Sequence, residues 1–155
     1  MNPESKITIR LALPADIEAI HRIDHVCFSY LVAYNVNTFL FYLHDRSSET
    51  WVADSADVVV GFTIFEMESR SRAHFITLDV LPEHRGKRIG SALMDHAHER
   101  AMARGASVMV LQVAVANQVA MDFYERRGYA KIRMFKKYYE DNTDAWEMKM
   151  DLRKT

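Results

Sequence analysis

Arg85, Gly86, Lys87, Arg88, Ile89 and Gly90 form a run of three cations and two glycines, and they have the clearest chemical purpose in the chain. The run follows an apolar, β-branched stretch from Ala73 to Leu81, and it precedes an apolar period at Ile89, Ala92, Leu93, Ala97 and Ala101. The first stretch reads as a strand that Pro82 stops, because proline has no amide hydrogen for a ladder. The second reads as one face of a helix. A loop that feeds a helix start offers free amides with partial positive charge. Glycines let the backbone come close to a ligand. The predicted chemistry is capture of a phosphate-bearing anion, although such a run is also common as solvated surface. The spelling is neither the Gly-x-x-x-x-Gly-Lys-Ser/Thr of a P-loop nor the Gly-x-Gly-x-x-Gly of a dinucleotide turn.

Other elements must position this loop. Ile7, Ile9, Leu11 and Leu13 alternate with Lys6, Thr8, Arg10 and Ala12, which predicts a half-buried strand over Lys6 to Leu13. Pro14 opens a helix carrying Ile17, Ile20, Ile23 and Asp24. His21 and His25 lie four apart on it, but the segment lacks the glutamate of a zinc-protease motif and no metal is expected. Tyr30 to Leu43 is aromatic-rich and predicts one or two short helices that cover the core or wall a groove. Thr50 to Ala53 and Val58 to Glu68 predict a hairpin around Asp54-Ser55-Ala56-Asp57, with Gly61 marking a bulge or a close packing point. Gly105 stops the central helix, and Ser107 to Val115 reads as a strand covered on both faces. Asn117 caps a helix that ends at Gly128, and Tyr129 to Tyr139 with Asp144 to Leu152 predict a last hairpin across Glu140 to Thr143. Antiparallel strands followed by strand, helix, strand and helix fit an α+β or α/β three-layer domain.

Composition narrows the function classes. The 155 residues suit one domain over 1–155. The chain is 49% hydrophobic and 26% charged, as expected of a globular protein. A net charge of −1 argues against a dedicated nucleic-acid binder. Cys27 is the lone cysteine and has no internal disulfide partner. No apolar run is long enough for a membrane span and no signal peptide is evident, so the cytoplasm is the expected location.

Two blocks resemble a known family. Arg85 to Gly90 is similar to the pyrophosphate-binding motif of the GNAT acetyltransferase superfamily, Gln/Arg-x-x-Gly-x-Gly/Ala, with Arg85 and Gly90 matching and Arg88 standing where the middle glycine is usual. The flanking Leu78-Asp79-Val80 with Pro82, and Gly90-Ser91-Ala92-Leu93-Met94, extend the likeness. Asn117 to Tyr129 resembles the family's Asn-x-x-Ala-x-x-x-Tyr-x-x-x-Gly-Phe/Tyr segment. The resemblance covers roughly Val58 to Leu152. It implies a GNAT fold, with a mixed, mostly antiparallel central sheet flanked by helices.

It also implies transfer of an acetyl group from acetyl-CoA to an amine, without a metal, by a monomer or homodimer. The cofactor would be held by Leu78, Asp79, Val80, Arg85, Gly86, Lys87, Arg88, Ile89, Gly90, Ser91, Asn117 and Tyr124. Tyr124 stands in the position of the family's tyrosine acid, though by residue type alone it reads as a core aromatic. Gln112 occupies a strand position where many protein N-terminal acetyltransferases carry a basic Glu or His, and glutamine cannot accept a proton at neutral pH. His74 is the substitute base, since an ordinary histidine titrates near about 6.5; the alternatives are an edge-strand histidine, Glu66 or Glu68, or a water placed by Gln112. The segment around Tyr138 and Tyr139 resembles the tail of protein N-terminal acetyltransferases, including those for ribosomal-protein alanine. Tyr138, Tyr139 and Tyr30 would then line a peptide groove, and a charged hairpin tip is the other reading. The expected acceptor is a protein or peptide N-terminus. The alternatives are a small amine (a polyamine, amino acid or aminoglycoside) and an acyl-CoA-binding module without turnover.

Overall fold

The structure is a computed structural model that describes residues 6–28 and 33–154. Seven strands form one sheet: β1 (Ile7–Leu11), β2 (Ser48–Ser55), β3 (Val58–Met67), β4 (Arg72–Val80), β5 (Val108–Ala114), β6 (Ala130–Phe135) and β7 (Ala145–Asp151). Their order is β1-β2-β3-β4-β5-β7-β6. Every pair is antiparallel except β4 with β5. Parallel neighbours need a long crossover, and here it is the helix α3 (Ile89–Ala103). The remaining helices are α1 (Ile17–Cys27), α2 (Val36–His44) and α4 (Gln118–Arg126).

The core falls into layers. Ile20 and Ile23 of α1 and Phe39 of α2 pack with Phe62 and Ile64 of β3. Met94 and Ala97 of α3 and Met121 of α4 join Phe65, Phe75, Leu111 and Met148 in another cluster. A three-layer, mostly antiparallel α+β architecture follows, as the order of elements predicts. Among the described residues, no helix is long and apolar enough to cross a membrane.

The turn chemistry acts where expected. Asp54 Oδ1 accepts from the Asp57 amide at 2.8 Å, and Ala56 and Asp57 take positive φ to close the β2–β3 hairpin. Val60 is the extra residue between Ala53↔Gly61 and Asp54↔Val59, so a bulge sits beside Gly61. Gly61 is also a close packing point: a Cβ there would lie 2.8 Å from the Asp79 carbonyl oxygen.

Two expectations need correction. The alternation of the first strand fails at its end, where Leu11 and Leu13 are 53% and 56% exposed. Arg10 instead turns inward to pair with Asp16 at 2.8 Å and Asp54 at 3.2 Å, and Ala12 packs on the core. The last hairpin is shorter than predicted. β6 ends at Phe135, and Lys137 and Asn142 adopt positive φ. The Asp144 carboxylate accepts from the Lys137 amide at 2.9 Å and pairs with Lys136 at 3.1 Å. Tyr138 and Tyr139 therefore leave the sheet.

Candidate active site

β4 and β5 pair only through Arg72↔Val108, Ala73↔Met109 and His74↔Val110. Beyond His74, β4 carries an extra residue, Ile76, against β3, where the register shifts between Ile64 and Phe65. A bulge bends a strand and increases its twist. The two strands part there, and a cleft of about 860 Å³ opens along the gap. The loop after β4, the start of α3, the start of α4, the end of α1 and the Tyr138–Tyr139 segment all line it.

At one end lies the predicted anion site. Pro82–His84 make a 3-10 turn, and Gly86 and Arg88 take φ of 77° and 62° before α3 begins. Arg88 thus stands in the left-handed region that glycine tolerates best. No side chain caps α3, so its first-turn amides at Ile89, Gly90 and Ser91 are open to an anion. Arg85 Nε donates to the Val80 carbonyl at 3.1 Å, and its Nη2 lies 3.5 Å from Cys27 Sγ. Arg85, Gly86, Arg88, Ile89, Gly90 and Ser91 all line the cleft. Lys87 is exposed and is absent from the lining, so it offers only long-range charge. Amides plus cations are a donor set that fits a diphosphate.

In the middle, Asn117 caps α4 by accepting from the Ala120 amide at 3.1 Å, and Tyr124 follows on the same helix. Both face the cleft. The Tyr124 ring sits 5.6 Å from Phe123 and 5.9 Å from Tyr129. Burial, aided by the nearby Asp79, raises its pKa, so the phenol keeps its proton. Leu78, Asp79 and Val80 also line this region. The Asp79 side chain does not reach for a ligand, however. It is 1% exposed and accepts from Thr77 Oγ1 at 2.6 Å, so any cofactor contact from Asp79 falls to its backbone.

At the other end, where β4 and β5 part, His74 and Gln112 meet. His74 Nε2 is hydrogen-bonded to Gln112 Oε1. His74 Nδ1 lies 3.4 Å from both Glu66 Oε1 and Glu68 Oε1. The Tyr138 hydroxyl donates to Gln112 Oε1 at 3.4 Å, and the rings of Tyr138 and Tyr139 stack edge-on at 4.9 Å. Burial pushes the Tyr139 phenol up to about 12 and raises Tyr138 as well. Glu66, Glu68 and His74 offer ligand atoms within 4.8 Å of one another, a spacing a cation could bridge. Glu68 is already paired with Arg72 at 2.9 Å. The rings of His21 and His25 lie 4.2 Å apart, tilted by 48°, with His25 Nδ1 on the His21 carbonyl.

The structure adds residues that sequence reasoning missed. Tyr34 lines the cleft, and the burial of Tyr34 and Tyr42 raises both phenols, Tyr42 to about 12. They sit in the aromatic segment read as a wall, while Tyr30 lies outside the described residues. Glu147, 1% exposed, is registered opposite Gln112 and binds Arg72 at 3.0 Å and Arg133 at 2.6 Å. No local pattern marks it, because its partners come from two other strands. Asp24 on α1, 1% exposed, also lines the cleft.

Comparison with known proteins agrees on the family. The profile described as Acetyltransferase (GNAT) family matches residues 17–129. The N-alpha-acetyltransferase 30 of Schizosaccharomyces pombe is 28% identical over 117 residues, covering 73% of this chain and 78% of that one. A streptothricin acetyltransferase of Streptomyces lavendulae is 39% identical over 88 residues, covering 56% of this chain and 47% of that one. The crystal structure of Ard1 from Thermoplasma volcanium superposes with a TM-score of 0.88 at 28% identity, covering 94% of this chain and 97% of that one.

Proposed function

The chain belongs to the GNAT acetyltransferase family, and on that premise we propose that its acceptor is the N-terminal amine of a protein or peptide. It is an N-acetyltransferase with acetyl-CoA as donor. The observation that carries the acceptor reading is the tyrosine-lined end of the cleft, where Tyr138 reaches Gln112 beside His74 and Tyr34 stands on the lining. Phenol rings with hydroxyl tips suit an extended peptide, which offers both apolar surface and backbone polar groups. Similarity to an N-alpha-acetyltransferase over most of both chains supports it.

Bound acetyl-CoA supplies an acetyl group already activated as a thioester. Arg85, Gly86, Arg88 and the amides of Ile89 to Ser91 hold the diphosphate, and Asn117 orients the arm that follows it. Backbone N–H groups of Leu78 to Val80 donate to the thioester oxygen as charge develops there. His74 is the base of this reading: its Nε2–H donates to Gln112 and its Nδ1 faces Glu66 and Glu68, so the proton from the attacking amine reaches it once the acceptor displaces one of these contacts. Tyr124 gives its proton to the departing sulfur. One C–N bond forms as one C–S bond breaks, and the proton lost by nitrogen balances the one gained by sulfur. We further read the chain as a single domain working in the cytoplasm, as monomer or homodimer.

A small-amine acceptor is the second reading, favoured by the 39% identity to the streptothricin enzyme over about half of this chain. Thiol release from acetyl-CoA, measured with short peptides of varied first residue beside polyamines and free amino acids, decides between them. Turnover on peptides with a preference at the first residue is the expected result. Turnover on small amines alone makes the second reading correct, and acetyl-CoA binding with no turnover on any acceptor leaves a binding module.

A further inference from the structure

Two carboxyl groups meet beneath the cleft. Asp24 of α1 and Asp79 of β4 are each 1% exposed, both line the cleft, and Asp24 lies close enough to bear directly on the Asp79 carboxyl. Each has one oxygen accounted for: Asp79 Oδ1 accepts from Thr77 Oγ1 at 2.6 Å, and Asp24 Oδ2 accepts from the Tyr34 amide at 2.7 Å. Asp79 Oδ2 is buried without a donor.

Three nearby donor residues are bonded away from Asp79 Oδ2. The single Thr77 hydroxyl proton goes to Asp79 Oδ1. The Cys27 thiol is directed at the Val80 carbonyl at 3.4 Å, and Arg85 uses Nε on that carbonyl and Nη2 on Cys27. Tyr124 on α4 is the remaining titratable group beside Asp79, and Tyr34 is the one beside Asp24 from the segment before α2. Two buried carboxylates side by side repel, and an unpaired one carries a large desolvation cost. One hydrogen atom between them satisfies the orphan oxygen and removes the repulsion.

We propose that Asp24 and Asp79 share one proton, and that this bonded pair is a positioning device that clamps α1 and Tyr34 onto β4 to set the acceptor wall. Burial and the neighbouring Asp24 hold the Asp79 carboxyl well above the usual carboxylate range, which fits a group that keeps its proton. The two sides of the clamp are functionally distinct. Tyr34 walls the cleft, and Asp79 lies in the Leu78 to Val80 stretch that faces the reacting carbonyl. When the proton leaves at alkaline pH, two adjacent charges push α1 from β4 and the wall loosens. The expected signature is a rise in acceptor KM with pH while acetyl-CoA affinity holds. The wall's role rests on the acceptor reading given above, whereas the shared proton does not.

The experiment pairs infrared spectroscopy with kinetics on the full chain. The parent at pH 7 should show the carbonyl stretch of a protonated carboxylic acid, and Asp79→Asn should abolish it. In Asp79→Asn the amide donates permanently to Asp24 and still accepts from Thr77, so the alkaline rise in acceptor KM should disappear. Asp24→Ala, which removes the acceptor for the Tyr34 amide, should raise acceptor KM about tenfold and change acetyl-CoA affinity less than twofold. Absence of the band in the parent, its persistence in Asp79→Asn, or failure of Asp79→Asn to fold overturns the shared proton. A band that behaves as expected beside an unchanged pH profile of KM overturns the positioning role. If no peptide or small amine is turned over, the acceptor reading fails separately and the band alone decides the pair.

Discussion

Tyr124 and His74 are held ready by different means. Tyr124 is packed among Phe123 and Tyr129, and burial keeps its phenol protonated, the form a proton donor needs. Tyr124→Phe deletes one oxygen and leaves the packing, so kcat should fall about a hundredfold, within the usual range for a general acid. Acetyl-CoA affinity should stay within twofold by calorimetry, and an unchanged kcat would remove Tyr124 from the proton transfer. His74 is held by hydrogen bonds, through Gln112 on one ring nitrogen and two carboxylates near the other. His74→Ala should lower kcat/KM at least about tenfold, measured by stopped thiol-release assays; a change under about twofold assigns the base elsewhere. The placement of Tyr124 and Asn117 on one side of the cleft was legible in the sequence because their helix carries both in one run. Tyr34 was legible only as part of the aromatic wall segment, and Asp24 and Glu147 were not, because each acquires meaning only from a partner on another element, as Asp24 does from Asp79.

The loop and the bulges decide whether those residues meet. Arg88 in the left-handed region explains why a glycine suits that position, and why a chain with arginine there still makes the turn at a cost of about 1 kcal/mol. The sequence showed Arg88 as a departure in spelling but not the backbone conformation behind it. Gly61 was read as a bulge or a close approach, and it is both. Gly61→Ala would bring a methyl within 2.8 Å of the Asp79 carbonyl, with Val80 and Leu93 closing the other sides. β3 and β4 must then shift, with an expected loss of about 1–3 kcal/mol in urea denaturation. The same shift moves the open edge of β4, so acetyl-CoA affinity should fall too. Full stability in this variant would mean that the strands can part there freely. The shortened last hairpin was illegible for a plain reason: Asn142 favours positive φ and falls in the predicted turn, but Lys137, which turns the chain five residues earlier, is a residue type that does not announce it.

The molecule as a whole carries an acid-sensitive strut. His98 of α3 is hydrogen-bonded to the Tyr129 hydroxyl at 2.7 Å, and burial lowers its pKa to about 4. An unfolded histidine binds its proton near about pH 6.5. The unfolded chain therefore holds more protons between the two values, and stability falls as pH drops through that window, by about 3 kcal/mol in total. Urea denaturation at pH 7 and pH 4.5 should show most of that loss, and His98→Gln should show much less of it. Equal losses in the two proteins would exclude His98 as the cause. The layered α+β class was legible from the order of elements, but the strand order was not, since nothing local says that β7 inserts between β5 and β6. Three joins are hairpins or short turns (β2–β3, β3–β4 and β6–β7), and of the three made across helices β4 to β5 registers the fewest residue pairs. Closing a long loop for three residue pairs returns little for the entropy it costs. The sheet is thus two plates joined by a short weld. A ligand lying in the gap acts as a rivet between them, and saturating it to a hundred times its dissociation constant should add about 2.7 kcal/mol to the resistance of the whole chain to unfolding.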